Sequence, residues 1–197
     1  MGFRPGTGDQ SGDLKIRSTN LRAKGGGFDG LKSMESFVAK INEEFITTVL
    51  IDIEDLTCPA VRSGVIGERS GGSNVANSYI TRLSNEVNGV IYKVEMGCIE
   101  TPAGGSGADA ADTDIILAAA SAAPDTGDDA TGLSGHVKLV DLGAAWGIGK
   151  SLTYGLSANY GDLDDFYLFL YSGGTAPRNP TAYTAGKFVI KLYGYNF

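Results

Sequence analysis

The chain has one histidine, one tryptophan, two cysteines and six prolines in 197 residues. With His136 alone, no site can be built from two imidazoles, and no serine–histidine–aspartate pattern surrounds it. Cys58 and Cys98 fall in or beside expected strands; two thiols are no disulfide framework, and free buried cysteines are the expectation. Few prolines beside twenty-nine glycines, without a Gly-X-Y period, exclude collagen. No apolar run reaches the roughly 18 residues of a membrane span. The opening MGFRPGTGDQ lacks the apolar stretch of a secretion signal, and Gly6 stands where myristoylation requires Ser or Thr. The expectation is a protein made in the cytoplasm that does not enter a membrane.

What is present is glycine, tyrosine and acid. Hydrophobic residues make up 42%, enough for a core, and twenty-nine glycines suit many tight turns between short strands. Net charge is −7, which gives no general reason to expect nucleic-acid binding. The charge is uneven. Residues 1–32 hold six basic residues (Arg4, Lys15, Arg17, Arg22, Lys24, Lys32) against Asp9, Asp13 and Asp29, a net +3, so the remainder carries −10. That segment has no hydrophobic periodicity and reads as an extended, glycine-rich basic arm, either docking on an acidic partner or simply a solvated terminus. The rest, residues 33–197, reads as one domain.

Residues 33–45 carry Met34, Phe37, Val38, Ile41 and Phe45 at helical spacing, with Ser33 as a candidate N-cap, and predict the one short helix. From residue 46 the period changes. ITTVLIDI predicts a strand over 46–53, and Asn88-Gly89 predicts a hairpin between a strand from Tyr79 and one carrying Val90, Tyr92, Val94, Met96 and Cys98 on its inner face. Further strands are expected at 113–119, 136–142, 152–158, 166–172 and 187–195, with a short one at Val65-Ile66. In the last long strand Phe188, Ile190 and Leu192 alternate against Lys187, Val189, Lys191 and Tyr193. Many short strands with one helix and no α/β alternation predict a mainly β, antiparallel β-sandwich or jelly-roll.

Catalytic signals are weak. Residues 144–151 (AAWGIGKS) satisfy a relaxed phosphate-loop pattern, and Val49-Leu50-Ile51-Asp52 mimics its acidic companion strand. A phosphate loop needs a helix after it, and the glycine-bearing sequence from Leu152 looks extended. A glycine-rich turn, with Trp146 packed or at an interface, is the better reading. Three aspartate clusters, Asp109/Asp112/Asp114, Asp125/Asp128/Asp129 and Asp162/Asp164/Asp165, lack the terminal glutamate of an EF-hand loop and read as solvated loops. No catalytic, cofactor or metal residue is assigned, and no enzyme is expected. The strand at 166–172 is apolar on both faces, so Tyr167, Phe169 and Tyr171 lie either in the core or under a partner. With Arg4, Lys15, Arg17, Arg22, Lys24 and Trp146 they are the candidate interface residues.

Three blocks carry a resemblance: TTVLIDIEDL (residues 47–56), NGVIYKVEMGCIETPAGG with the following DTDI (88–115), and DDFYLFLYSGGTA…YTAGKFVIKLYGY (164–195). Together they resemble virion structural proteins of tailed phages of marine and cyanobacterial hosts. The resemblance implies a β-sandwich on the capsid exterior that cements an icosahedral head by bridging major capsid protein subunits, itself a homo-oligomer without nucleic-acid or membrane partners. A tail or fibre protein, or a carbohydrate-binding β-sandwich using Trp146 and tyrosine-rich loops for sugar stacking, is the alternative.

Overall fold

The structure is a computed structural model that describes residues 33–41, 43–68, 78–155 and 162–195. The expected basic arm lies outside the described residues. Those described are mainly β, in antiparallel sheets, as the sequence predicts.

The largest sheet has five strands. β1 (Ser33–Ile41) and β2 (Glu44–Asp52) form a hairpin. β12 (Ala185–Tyr195) lies beside β2, then β6 (Val90–Ala103), then β9 (Ser151–Gly155) at the far edge. A second sheet has the order β5 (Thr81–Arg82), β10 (Tyr167–Ser172), β7 (Ile115–Ala120), β8 (Val137–Val140). Three short strands, β11 (Thr181–Ala182), β3 (Leu56–Cys58) and β4 (Gly67–Glu68), form a third.

Strict alternation builds the main core. Val49 and Ile51 of β2, Phe188, Ile190 and Leu192 of β12, and Val94, Met96 and Cys98 of β6 meet Ile115, Leu117 and Ala119 of β7 and Leu168 and Leu170 of β10. Side chains from the facing sheets thus share one interior, the mark of a sandwich. Each buried Phe, Ile or Leu there contributes about 1.5–3 kcal/mol of transfer free energy. A second cluster sits on the opposite face of β7 and β10. Ile116, Ala118, Ala120, Phe169 and Tyr171 pack there with Val65 and Ala130. Bridges Val65↔Tyr171 and Gly64↔Asp129 hold the covering segments in place.

Two local predictions are corrected. Residues 33–41 are strand β1, not the start of a helix. Their register runs unbroken from Ser33↔Asp52 to Ile41↔Glu44, and Met34 packs on the core opposite Ile51. A strand partner that begins three residues further on supplies hydrogen bonds along the whole segment, which outweighs a modest helical preference. The second correction is at Asn88-Gly89, which ends a single helical turn, α1 (Asn85–Asn88). Ser84 caps it by accepting from Glu86 N–H, and Gly89 takes a φ of 68° as its C-cap residue. The positive φ that suggested a hairpin turn is there but closes a helix instead. The strand expected from Tyr79 shrinks to β5, which pairs with β10.

β6 also departs from its expected alternation. Opposite Tyr193 and Gly194 its partners jump from Lys93 to Ile91, a bulge at Tyr92. Ile91 and Val94 point to the core, whereas Tyr92 is only half-buried.

Candidate functional site

The face of the five-stranded sheet turned away from the core carries half-buried and exposed side chains. Register places Thr48 beside Lys191, Ile46 beside Tyr193 and Leu50 beside Val189 on this face. Phe37 of β1 lies opposite Thr48, and Glu95 of β6 opposite Lys191. Val189, Tyr193, Ile46 and Leu50 are all half-buried, and Tyr195 and Ile41 are exposed. Apolar and aromatic side chains therefore sit here without being enclosed.

At one end the tyrosines form a cluster. Tyr92 stacks on Tyr195 with ring centroids 4.6 Å apart, and lies 6.4 Å from Tyr193. The β6 bulge makes this possible by turning Tyr92 out beside Tyr195. Lys93 Nζ lies 3.5 Å from the Tyr193 ring centroid, a cation–π contact. Tyr193 O–H donates to Glu95 Oε2 at 2.8 Å, and Tyr92 O–H donates to Glu44. Donation to Glu44 is the main cause that raises the Tyr92 hydroxyl. Partial burial, then the bond to Glu95, pushes Tyr193 up to about 12. Both hydroxyls are neutral donors across the physiological range. At the other end Lys187 Nζ bonds Glu100 at 2.7 Å and lies 3.6 Å from Asp52. Polar and apolar groups are thus interleaved on this face, with Lys187, Glu95, Glu44 and the two tyrosine hydroxyls paired in place.

Of the sequence-predicted interface residues, Tyr167 is half-buried, packing edge-on against Tyr79 at 4.8 Å with Arg82 over its ring at 5.7 Å. Phe169 and Tyr171 are corrected as contact residues. They are enclosed by this chain's own covering segments, at 0% and 3% exposure. Trp146 is likewise interior at 2%. Its Nε1–H donates to Ile115 O at 2.6 Å and its ring stands edge-on to Phe188. A strand apolar on both faces can be covered by loops as well as by a partner, and here loops cover it. Arg4, Lys15, Arg17, Arg22 and Lys24 lie outside the described residues.

The phosphate-loop mimic is a turn lying along β6. Gly149 N–H donates to Cys98 O, Ile148 N–H to Thr101 Oγ1, and Lys150 Nζ to Ala145 O. Strand β9 follows where a phosphate loop has its helix, and the lysine closes its own turn.

The aspartates serve the loops. Asp112 accepts from the N–H groups of Asp114 and Gly174, Asp109 from Asn179, Asp128 from Asp125, Asp129 from Thr131, and Asp162 and Asp164 from Asn85. Burial pushes the Asp112 carboxyl up. Around it Tyr183 O–H donates to Asp112 O, and Asp112 N–H donates to Cys58 Sγ, a polar knot that fastens β3 to two loops. Cys58 and Cys98 are free and buried, and burial raises both thiols. No group of three or more metal-ligating side chains converges among the described residues. His136 lies 5.7 Å from the Tyr171 ring, and its Nε2 is buried without a hydrogen bond. Burial holds its pKa below the ordinary value.

Sequence reasoning already placed Val189, Lys191 and Tyr193 on the second face of the last strand. It missed Tyr92 because one bulge inverts the local alternation. Against models of known families, characterised proteins and solved structures, the chain finds no match.

Proposed function

We propose that this protein is a phage virion structural protein, a decoration or cement protein that sits on the capsid exterior and bridges major capsid protein subunits. One observation carries the reading. The blocks that resemble virion proteins supply β2, β12 and β6, which lie side by side at the centre of one sheet. The outer face of that sheet is a tyrosine-bearing surface on which half-buried apolar side chains alternate with charged ones. Such a face suits binding by shape over a broad area, with tyrosines supplying contact at low entropic cost. The basic segment at residues 1–32 adds charge of the sign that an acidic capsid surface would attract. In this role the protein acts without a covalent step.

The test is attachment to emptied, expanded capsids. Full-length protein is expected to saturate them at hundreds of copies per particle. Removal of residues 1–30 should weaken attachment while leaving the β domain folded. Val189→Lys, on the open face, should weaken it without loss of thermal stability. Label found only on tails, or saturating attachment by both variants, rejects the reading. Sugar stacking is less well supported: Trp146 is interior, Lys93 lies over Tyr193, and Tyr92 and Tyr195 stack on each other.

A further inference from the structure

The edges of the sheets are unequal. β5 has two residues, β8 four and β9 five, and the edges of the small sheet have two each. Short edge strands are a common defence against unwanted strand pairing. β1 is the exception. It offers nine residues with no proline, its pairing with β2 has no bulge, and Glu35 and Lys40 are its only charges. No described strand lies along its other side. Ile41, at its end, is 47% exposed.

We propose that β1 pairs with β1 of a second copy of this chain, antiparallel about a two-fold axis at Phe37. This register is the one that pairs the whole strand with itself. It sets Phe37 opposite Phe37 of the second copy on the outer face, and Glu35 opposite Ala39. On the core-side face Met34 meets Lys40, whose stem already lies along the Phe45 ring with Nζ 4.8 Å from the centroid. Neither charged residue faces its like, which a directly opposed pair would penalise. An isologous contact of this kind closes at two copies and exhausts the edge, so it does not propagate into a fibre. The two five-stranded sheets become continuous, and their open outer faces join into one surface twice as wide. The proposal rests on the edge alone and stands apart from the virion reading.

Both native cysteines are buried, so a cysteine placed at position 37 is the accessible thiol among the described residues. Directly paired strand residues are about 4.5–5.5 Å apart at Cα, within disulfide reach. The full-length chain is expected to sediment as a dimer. Phe37→Cys should cross-link to a covalent dimer under mild oxidation, whereas Tyr154→Cys on the β9 edge should not. Phe37→Glu, which opposes two carboxylates, should weaken dimerisation at least tenfold while circular dichroism stays unchanged. The proposal is overturned by a monomer at every concentration. It is equally overturned if cross-linking occurs only through Tyr154→Cys, or if association appears only after residues 1–32 are removed. That last result would mean the chain's own N-terminal segment covers the edge.

Discussion

β10 and β12 are both aromatic strands from the same end of the chain, and they meet opposite fates. β10 is enclosed on both faces: Leu168 and Leu170 enter the sandwich, and Phe169 and Tyr171 are capped by segments around Val65 and Ala130. β12 is enclosed on one. Phe188, Ile190 and Leu192 fill the core, but Val189, Tyr193 and Tyr195 are left facing out. Hydrophobic content alone therefore does not tell a core strand from a contact strand. The distinguishing feature is whether a loop of the same chain is long enough and apolar enough to fold over the second face. The Ala-rich stretch after β7 serves β10 in this way, and no described segment does so for β12.

Four measurements would break or sharpen that contrast. The largest effect is expected from Phe169→Ala, which should cost about 3–5 kcal/mol in urea unfolding, against less than about 1 kcal/mol for Val189→Ala. Similar losses at the two positions would mean that the β12 face is covered in the folded chain. Next comes Gly194→Ala. A Cβ there would run into the backbone carbonyl of Asn88, and backbone cannot swing aside as a side chain can. A loss of about 1–3 kcal/mol is expected, read as a lower denaturation midpoint. Trp146→Phe keeps an aromatic ring but removes the bond to Ile115 O, and should cost about 1–3 kcal/mol through an unsatisfied buried carbonyl and lost volume. An unchanged midpoint would show water reaching that carbonyl.

The smallest effect is a pH dependence on the covered side. The folded pKa of His136 is lowered by burial, with Lys138 adding repulsion and Asp129 opposing it. Tyr171 and Phe169 face it as neutral rings. The unfolded chain then binds the proton more readily. Stability linked to His136 is full above the unfolded value, near 6.5, and declines as pH falls from there toward the folded pKa. His136→Gln should flatten this part of the profile in stability measured from pH 7 downward. The raised carboxyl of Asp112 acts in the opposite sense, its folded form gaining relative stability as pH drops toward the ordinary carboxylate range. A profile for His136→Gln as steep as that of the parent would place the acid sensitivity elsewhere.

Much of the sandwich was legible because period-two alternation is a direct image of one face buried and one face open. Phe188, Ile190 and Leu192 follow as interior residues from alternation alone. The misreadings share a cause: one local signal compatible with two structures. Met34, Phe37, Val38 and Ile41 fit a helical stripe, and only the pairing with β2 decides for a strand. Gly89 demands a positive φ, and both a hairpin and a helix end supply one. The candidate surface was half-legible. Its β12 half follows from alternation, but its Tyr92 half depends on a bulge that shifts register by one residue, which no pattern of residue types marks. Phe169, Tyr171 and Trp146 were left open between core and contact for the converse reason, since sequence does not show which loop folds over which strand.

The position of β12 has a further consequence, for the order of events during synthesis. It is the last described strand in the chain, yet it lies at the middle of the five-stranded sheet with β2 on one side and β6 on the other. The β1–β2 hairpin can form as soon as it emerges from the ribosome. β2 and β6 cannot be joined until residues 185–195 have been made, so from the completion of β6 at Ala103 until then two long strand edges wait without their shared neighbour. Assembly of this sheet is therefore a late, non-local step, and a nascent chain halted before Ala185 would expose the strands most prone to aggregate.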